Sequence, residues 1–334
     1  MPSKTNIHFF GSLRSGELFD LFNVPPIQNV IDRIQKMPNT TDKLDVTGVT
    51  KIPSSDDVIK VNTLTFSNFS TLMLLGQQHD YLVIAAKRLV LDIVNPDFKA
   101  KISRPTGSEA DSLLAKIDGS PGTPGQPGIK GVGETNRNGN PGGSGGEGGH
   151  GGHGSTLYVP PLFFFIKEVI FGTASDSKRR YLEIDWSGYR GGAGGNGGIG
   201  GDGGAGAHGK EGATSAFDCK EGPGRGGRGG DAGRGGDGGD AGNGSDGGMV
   251  FLFAPKSDIF DFATADVEPG NPSAPSLPGR PGQPGRPGTG GGRNGWCGSG
   301  PDGSPGATPP LRNRGNPGSA GTRGKQFVLS RDIF

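Results

Sequence analysis

The sequence predicts a mainly β protein whose second part is a polyglycine-II/PPII helix bundle. The expected order is a β-rich, possibly β-solenoid, N-terminal domain with one helix, then a Gly-rich three-fold helix bundle with β-strand inserts. Two observations carry this expectation. From Gly191 to Gly212 every third residue is glycine, and in the first five triplets the following residue is glycine as well. The glycine is also confined: of 68 in the chain, 5 fall in residues 1–118 and 63 in residues 119–334. Text of this kind has almost no side chains to bury in an oily core. It can instead form extended helices of about three residues per turn and about 3.1 Å rise.

Residues 1–43 read as an N-terminal helical segment. Pro25-Pro26 presets a helix start, and Ile27, Val30, Ile31, Ile34 and Met37 recur at helical spacing until Pro38 ends the run. Glu17–Phe22 reads as a short turn of helix before it. Residues 44–118 read as a β-rich, solenoid-like domain. Leu64/Phe66, Leu72/Leu74, Leu82/Ile84 and Leu89/Leu91 alternate in short runs, separated by turn-prone residues. Leu64, Leu82 and Ile102 follow at intervals that suit rungs of a β-solenoid, with a small sandwich as the alternative.

Residues 119–334 alternate glycine tracts with conventional inserts. The tracts are 119–131, 139–154, 191–212, 224–248, 279–306 with a phase shift inside, and 315–324. The β inserts are 155–186, 249–267 and 327–334, with Leu162–Ile166 and Val250–Phe253 as apolar runs. Three architectures compete for the tracts. A collagen triple helix suits only the short proline-bearing stretches. Disorder has no need of strict phase. A side-by-side bundle uses bare glycine faces for close backbone approach, and its unpaired N–H and C=O groups find partners on neighbouring segments. In 224–248 the third column reads Arg225, Arg228, Asp231, Arg234, Asp237, Asp240, Asn243 and Asp246, which predicts a solvated ridge. Proline-bearing tracts have one glycine column and are expected on the outside.

Alternating GGX tracts and short apolar inserts resemble, in composition, the glycine-rich adhesins at the tips of some phage long tail fibres. The resemblance covers about 119–334 and no matching N-terminal segment. It implies a rigid polyglycine-II rod whose distal loops touch a host receptor. The springtail antifreeze proteins are similar in the same way. Their ice face needs a flat array of small residues, whereas the outward columns here carry Arg, Asp, Asn, Glu and His, which argues against ice binding.

Charge and motifs narrow the function further. With 34 Lys and Arg against 33 Asp and Glu, the chain carries a net charge of +1, and the Gly224–Gly230 RGG text is soon matched by aspartates without interleaved aromatics. Nucleic acid is therefore not expected as a partner. No run approaches the roughly 20 apolar residues of a membrane span, and no signal peptide is visible at Met1–Gly16. The expected location is a virion or a surface reached without ordinary secretion, with cytoplasmic assembly as the alternative. GxGxxG matches arise from the repeat, serines such as Ser144 lack an elbow context, and His150 with His153 lacks further ligands. No enzyme, cofactor or metal is expected.

Four aromatic positions are candidate binding residues. Phe163, Phe164 and Phe165 are too apolar to stay exposed, so they are either buried between inserts or docked on a partner. Trp296 lies in an irregular connection, where a contact role and an internal packing role are both open. Cys219 and Cys297 either clip two distant segments together or remain unrelated thiols. The expected function is a structural or binding protein that recognises a protein or glycan receptor, with a self-assembling homo-oligomeric scaffold as the alternative.

Overall fold

The computed structural model describes residues 27–93, 99–117, 119–120, 122–123, 133–172, 181–256 and 260–334. Within them the chain passes back and forth between two parallel sheets. The six-stranded sheet is ordered β1 (Thr41–Val46), β3 (Val58–Ser67), β5 (Leu82–Asp92), β9 (Leu162–Phe171), β13 (Met249–Ala254) and β15 (Lys325–Ser330). The five-stranded sheet is ordered β14 (Ala263–Asp266), β10 (Leu182–Asp185), β6 (Ala100–Ser103), β4 (Thr71–Leu74) and β2 (Val49–Ile52).

Burial on both faces explains the apolar runs. In Leu162-Phe163-Phe164-Phe165-Ile166 every residue is buried, as in Val250–Ala254. A parallel strand covered on both sides reads as a continuous hydrophobic run. Alternate side chains serve different layers. Phe164 and Leu252 face the core between the sheets with Ile84, Leu72, Ile102 and Ile184. Phe163, Phe165, Phe251 and Phe253 face outward and are covered by α1 (Ile27–Lys36) through Ile27, Val30, Ile31 and Ile34, with Ile333 from the C-terminus. The parallel register places Phe163, Phe251 and Phe327 side by side, and their rings stack at 4.9 Å in both pairs. The helix expected at Ile27 is present, with Met37 packed against the same cluster. Glu17–Phe22 lies outside the described residues. Residues 82–91, read as two runs, form the single strand β5. The sequence reading assigned no helix to α2 (Ser108–Ile117), which carries acidic Glu109 and Asp111 in its first turn.

The expected fold class is overturned. The regular structure is a parallel arrangement of the α/β type, two sheets of six and five strands with two described helices. It is not a polyproline-II helix bundle preceded by a separate β domain, and collagen-like, polyglycine-II and β-solenoid do not describe it. The physical reason lies in the inserts, which the sequence reading treats as short anchors. Their apolar runs pair directly with strands of the N-terminal part, Phe164 opposite Ile84 and Ile184 opposite Ile102. Sheets drawn from both halves of the chain thus organise the molecule.

The glycine tracts continue from the sheets as extended segments outside helix and strand. Tracts 139–154, 224–248 and 300–324 run parallel in one layer and lead into β9, β13 and β15. Tracts 191–212 and 270–291 follow β10 and β14 and form the second layer with residues 119–120 and 122–123. Within a layer one N–H per triplet crosses to the next tract, as in Gly142 N–H to Arg228 O (2.9 Å) and Gly200 N–H to Arg280 O (2.9 Å). Antiparallel bonds join the layers, for example Gly201 N–H to Gly146 O and Gly233 N–H to Gly201 O, both 2.8 Å. The phase shift inside 279–306 is a hairpin turn, so that stretch supplies two legs of the slab.

At the join between sheets and slab, Trp186 is wholly buried and donates its indole N–H to Pro160 O at 2.6 Å. Beside it the Arg104 guanidinium lies 4.0 Å from the centre of the buried Tyr189 ring and donates to Ser187 Oγ at 2.9 Å. Burial pushes the Tyr189 hydroxyl up to about 12, against the opposing pull of Arg104. Burial alone would raise Asp185, but the Ser187 hydroxyl and Lys101, at 2.9 Å, outweigh it and hold its carboxyl below the usual range.

Candidate recognition surface at the hairpin tips

The end of the slab remote from the sheets is built from three turns. The first is a two-residue hairpin between β7 (Glu134–Thr135) and β8 (Asn138–Gly139). Its central residues, Asn136 at φ 49° and Arg137 at φ 67°, adopt the left-handed conformation that such a turn needs at both positions. The second turn pairs β11 (Ala213–Thr214) with β12 (Cys219–Glu221). The third spans 292–299, where Asn294 and Cys297 exchange backbone bonds around Gly295 at φ 51°.

Side chains tie the three turns together. Arg137 forms an ion pair with Glu221 and donates to Gly222 O at 3.1 Å, which joins the first turn to the second. Arg137 thus adopts a backbone conformation uncommon for its residue type, where its guanidinium has acceptors on the neighbouring hairpin. The second and third turns are joined covalently by a disulfide between Cys219 and Cys297. Asn294 Nδ2 adds a bond to Gly212 O at 2.8 Å. Of the two readings of the cysteines, the clip is the one found.

The surface so fixed carries the two most exposed aromatics among the described residues. Phe217 is 89% exposed and Trp296 is 69% exposed. The Trp296 indole N–H donates to Ala216 O at 3.3 Å, so the side chain is held against the second turn while most of its surface faces solvent. Beside them an open cavity of about 670 Å³ is lined by Arg137, Lys210, Glu211, Glu221 and Asn294. The arrangement offers flat apolar faces next to donors and acceptors of both charges, which is the composition of a contact surface.

The other sequence candidates lie elsewhere. Phe163, Phe164 and Phe165 are fully buried in β9, at the opposite end from Trp296. His150 and His153 accept backbone N–H bonds from Asp237 and Asp240 through Nδ1, each at 3.1 Å. No group of three potential metal ligands occurs among the described residues. The ridge expected at 224–248 is divided in role. Arg225, Arg228 and Arg234 are exposed, whereas Asp231, Asp237, Asp240 and Asp246 turn sideways to accept N–H groups of Ala307, Asn313, Asn316 and Thr322 at 2.6–3.0 Å. Sequence reading missed Phe217 and Arg137. The available signal for Phe217 was a lone aromatic between two glycine tracts, two residues before a cysteine.

No family model and no curated protein matches the chain. Among solved structures it is similar to the nine polyproline type II helical bundle springtail antifreeze protein from Granisotoma rainieri. Identity is 26%, covering 58% of this chain and 96% of that one, with a TM-score of 0.11. Agreement that low carries no argument about fold or activity. No described helix is long and apolar enough to cross a membrane.

Proposed function

We propose that this chain is a non-enzymatic binding protein that recognises a surface receptor through its hairpin tips. The observation that carries the reading is the pair of exposed aromatics, Phe217 and Trp296, on turns locked by the Cys219–Cys297 disulfide. An exposed aromatic costs solubility, and fixing it in advance lowers the entropy lost on binding. The disulfide also supports a working place outside a reducing cytosol. The scaffold alternative, self-assembly into a larger particle, would need an edge that invites pairing. The last tract of the second layer instead carries proline at every third residue from Pro272 to Pro287, which removes N–H donors. At the end of the five-stranded sheet, Gln326 Oε1 accepts the Ala265 N–H at 3.3 Å.

The test is adsorption of the fluorescently labelled protein to a printed array of surface glycans and surface proteins. Phe217→Ala combined with Trp296→Ala should reduce binding at least tenfold, with an unchanged melting temperature and a discrete, concentration-independent mass. Retained binding by the double variant would remove the tip from the reading. Concentration-dependent polymers in light scattering would favour the scaffold.

A further inference from the structure

We infer that the outer edge of the last glycine hairpin, residues 270–324, is a second binding surface, and that its ligand is an extended acidic polysaccharide. The chain as a whole has a net charge of +1, but this hairpin holds six arginines, no lysine and one acidic residue, Asp302. The arginines are unequal. Arg312 pairs with Glu147 at 3.2 Å, and Arg323 pairs with Glu268 at 2.8 Å. Arg280, Arg286 and Arg314 are exposed and enter no ion pair among the described residues. Asp302 is occupied as the acceptor of the Gly290 N–H at 2.8 Å.

Arg280 on one leg of the hairpin and Arg314 on the other line an open groove of about 520 Å³ together with Leu277, Pro278, Pro281 and Leu311. Leu277 is 50% and Leu311 67% exposed, and the two charged residues lining the groove are both arginines, with the Asp202 carboxylate nearby occupied as acceptor of the Gln283 N–H at 2.7 Å. Arg286 continues the line two triplets beyond Arg280 along the same straight tract.

Three features select the ligand. Guanidinium groups present paired donors that fit carboxylate and sulfate oxygens, and an all-arginine set favours such groups over a diffuse charge. The prolines leave little backbone for β-pairing, so recognition falls to side chains spaced by triplets, which suits a regular polymer more than a folded acidic protein. Finally, the two legs of the hairpin contain no aromatic residue, and Trp296 stands apart at the turn. A nucleic-acid strand would lack the stacking platforms that single-strand binders use. This surface is separate from the tip, and the inference does not depend on the reading given for Phe217 and Trp296.

The test uses the full chain on immobilised dextran sulfate, polygalacturonate and unmodified dextran. Both acidic polymers should bind and neutral dextran should not, with affinity falling steeply between 50 and about 200 mM salt, as expected for charge-driven association. The triple variant Arg280→Gln/Arg286→Gln/Arg314→Gln should lose at least tenfold. Arg225→Gln/Arg234→Gln, on the neighbouring tract 224–248, and Phe217→Ala/Trp296→Ala should bind as the parent. A second readout needs no variant. Dextran sulfate should protect Arg280 and Arg314, but not Arg225 and Arg234, from phenylglyoxal. Absent binding of both acidic polymers at low salt, equal loss in the Arg225→Gln/Arg234→Gln variant, uniform protection, or tighter capture of a single-stranded oligonucleotide would each overturn the inference.

Discussion

A hydrogen atom as side chain is a structural requirement at Gly236. A Cβ there would fall inside the contact radius of the Gly149 carbonyl, and the nearest atoms are all backbone of Gly148 and Gly149, with no flexible side chain to give way. Gly236→Ala should therefore destabilise the fold by at least about 3 kcal/mol, at the upper end of overpacking costs. Gly298, in the third turn, has nothing within 4 Å of its Cβ position, and Gly298→Ala should be close to neutral. Paired urea titrations measure both, and equal midpoints would show that the tracts do not pack as described. Tyr189 gives a second expectation at this scale. Its hydroxyl is raised by burial from 10.0 to about 12, so the unfolded chain loses its proton first as pH rises. The associated stability is complete below about pH 10 and is lost between about 10 and 12, amounting to about 2–3 kcal/mol. Thermal melts across that window should steepen in pH dependence for the parent relative to Tyr189→Phe.

Among the elements, the disulfide joins two hairpins that the backbone ladder already holds. Cys219 and Cys297 are 78 positions apart, and closing a loop of that size in the unfolded chain is worth about 4 kcal/mol in chain-entropy terms. Cys219→Ser with Cys297→Ser should lower unfolding stability by about that amount, read as a shift in urea midpoint, and an unchanged midpoint would contradict it. Legibility in the sequence followed the strength of periodic signals. The α1 stripe Ile27, Val30, Ile31, Ile34 named its own buried face, and triplet phase in 191–212 marked where straight tracts begin and end. Burial on both faces was harder to read. Leu162–Ile166 and Val250–Ala254 looked like local anchors because continuous apolar text does not say which strand it will pair with. The tip was legible only as an irregular stretch around Trp296. Arg137, Phe217 and the pairing of the cysteines depend on which hairpin lies beside which, and no local pattern encodes that.

Over the whole molecule, charge and edge chemistry are sorted by position. The proline-free tracts 191–212 and 224–248 lie centrally, with neighbours in their own layer and across it, while the proline column 272–287 ends the second layer. Among the described residues, Arg280 and Arg286, which enter no ion pair, lie on that same last tract, and Arg314 on the leg paired with it. The sheets present a further regularity in their order. In both, each strand pairs with the one laid down before it in that sheet, β1 to β3 to β5 to β9 to β13 to β15, and β2 to β4 to β6 to β10 to β14. The glycine tracts follow the same rule, since 191–212 bonds to 139–154, and 224–248 to both. During synthesis, then, each segment leaving the ribosome meets a surface already complete enough to receive it. No sheet neighbour has to wait for text still untranslated, and the chain can be built by accretion from its N-terminal end.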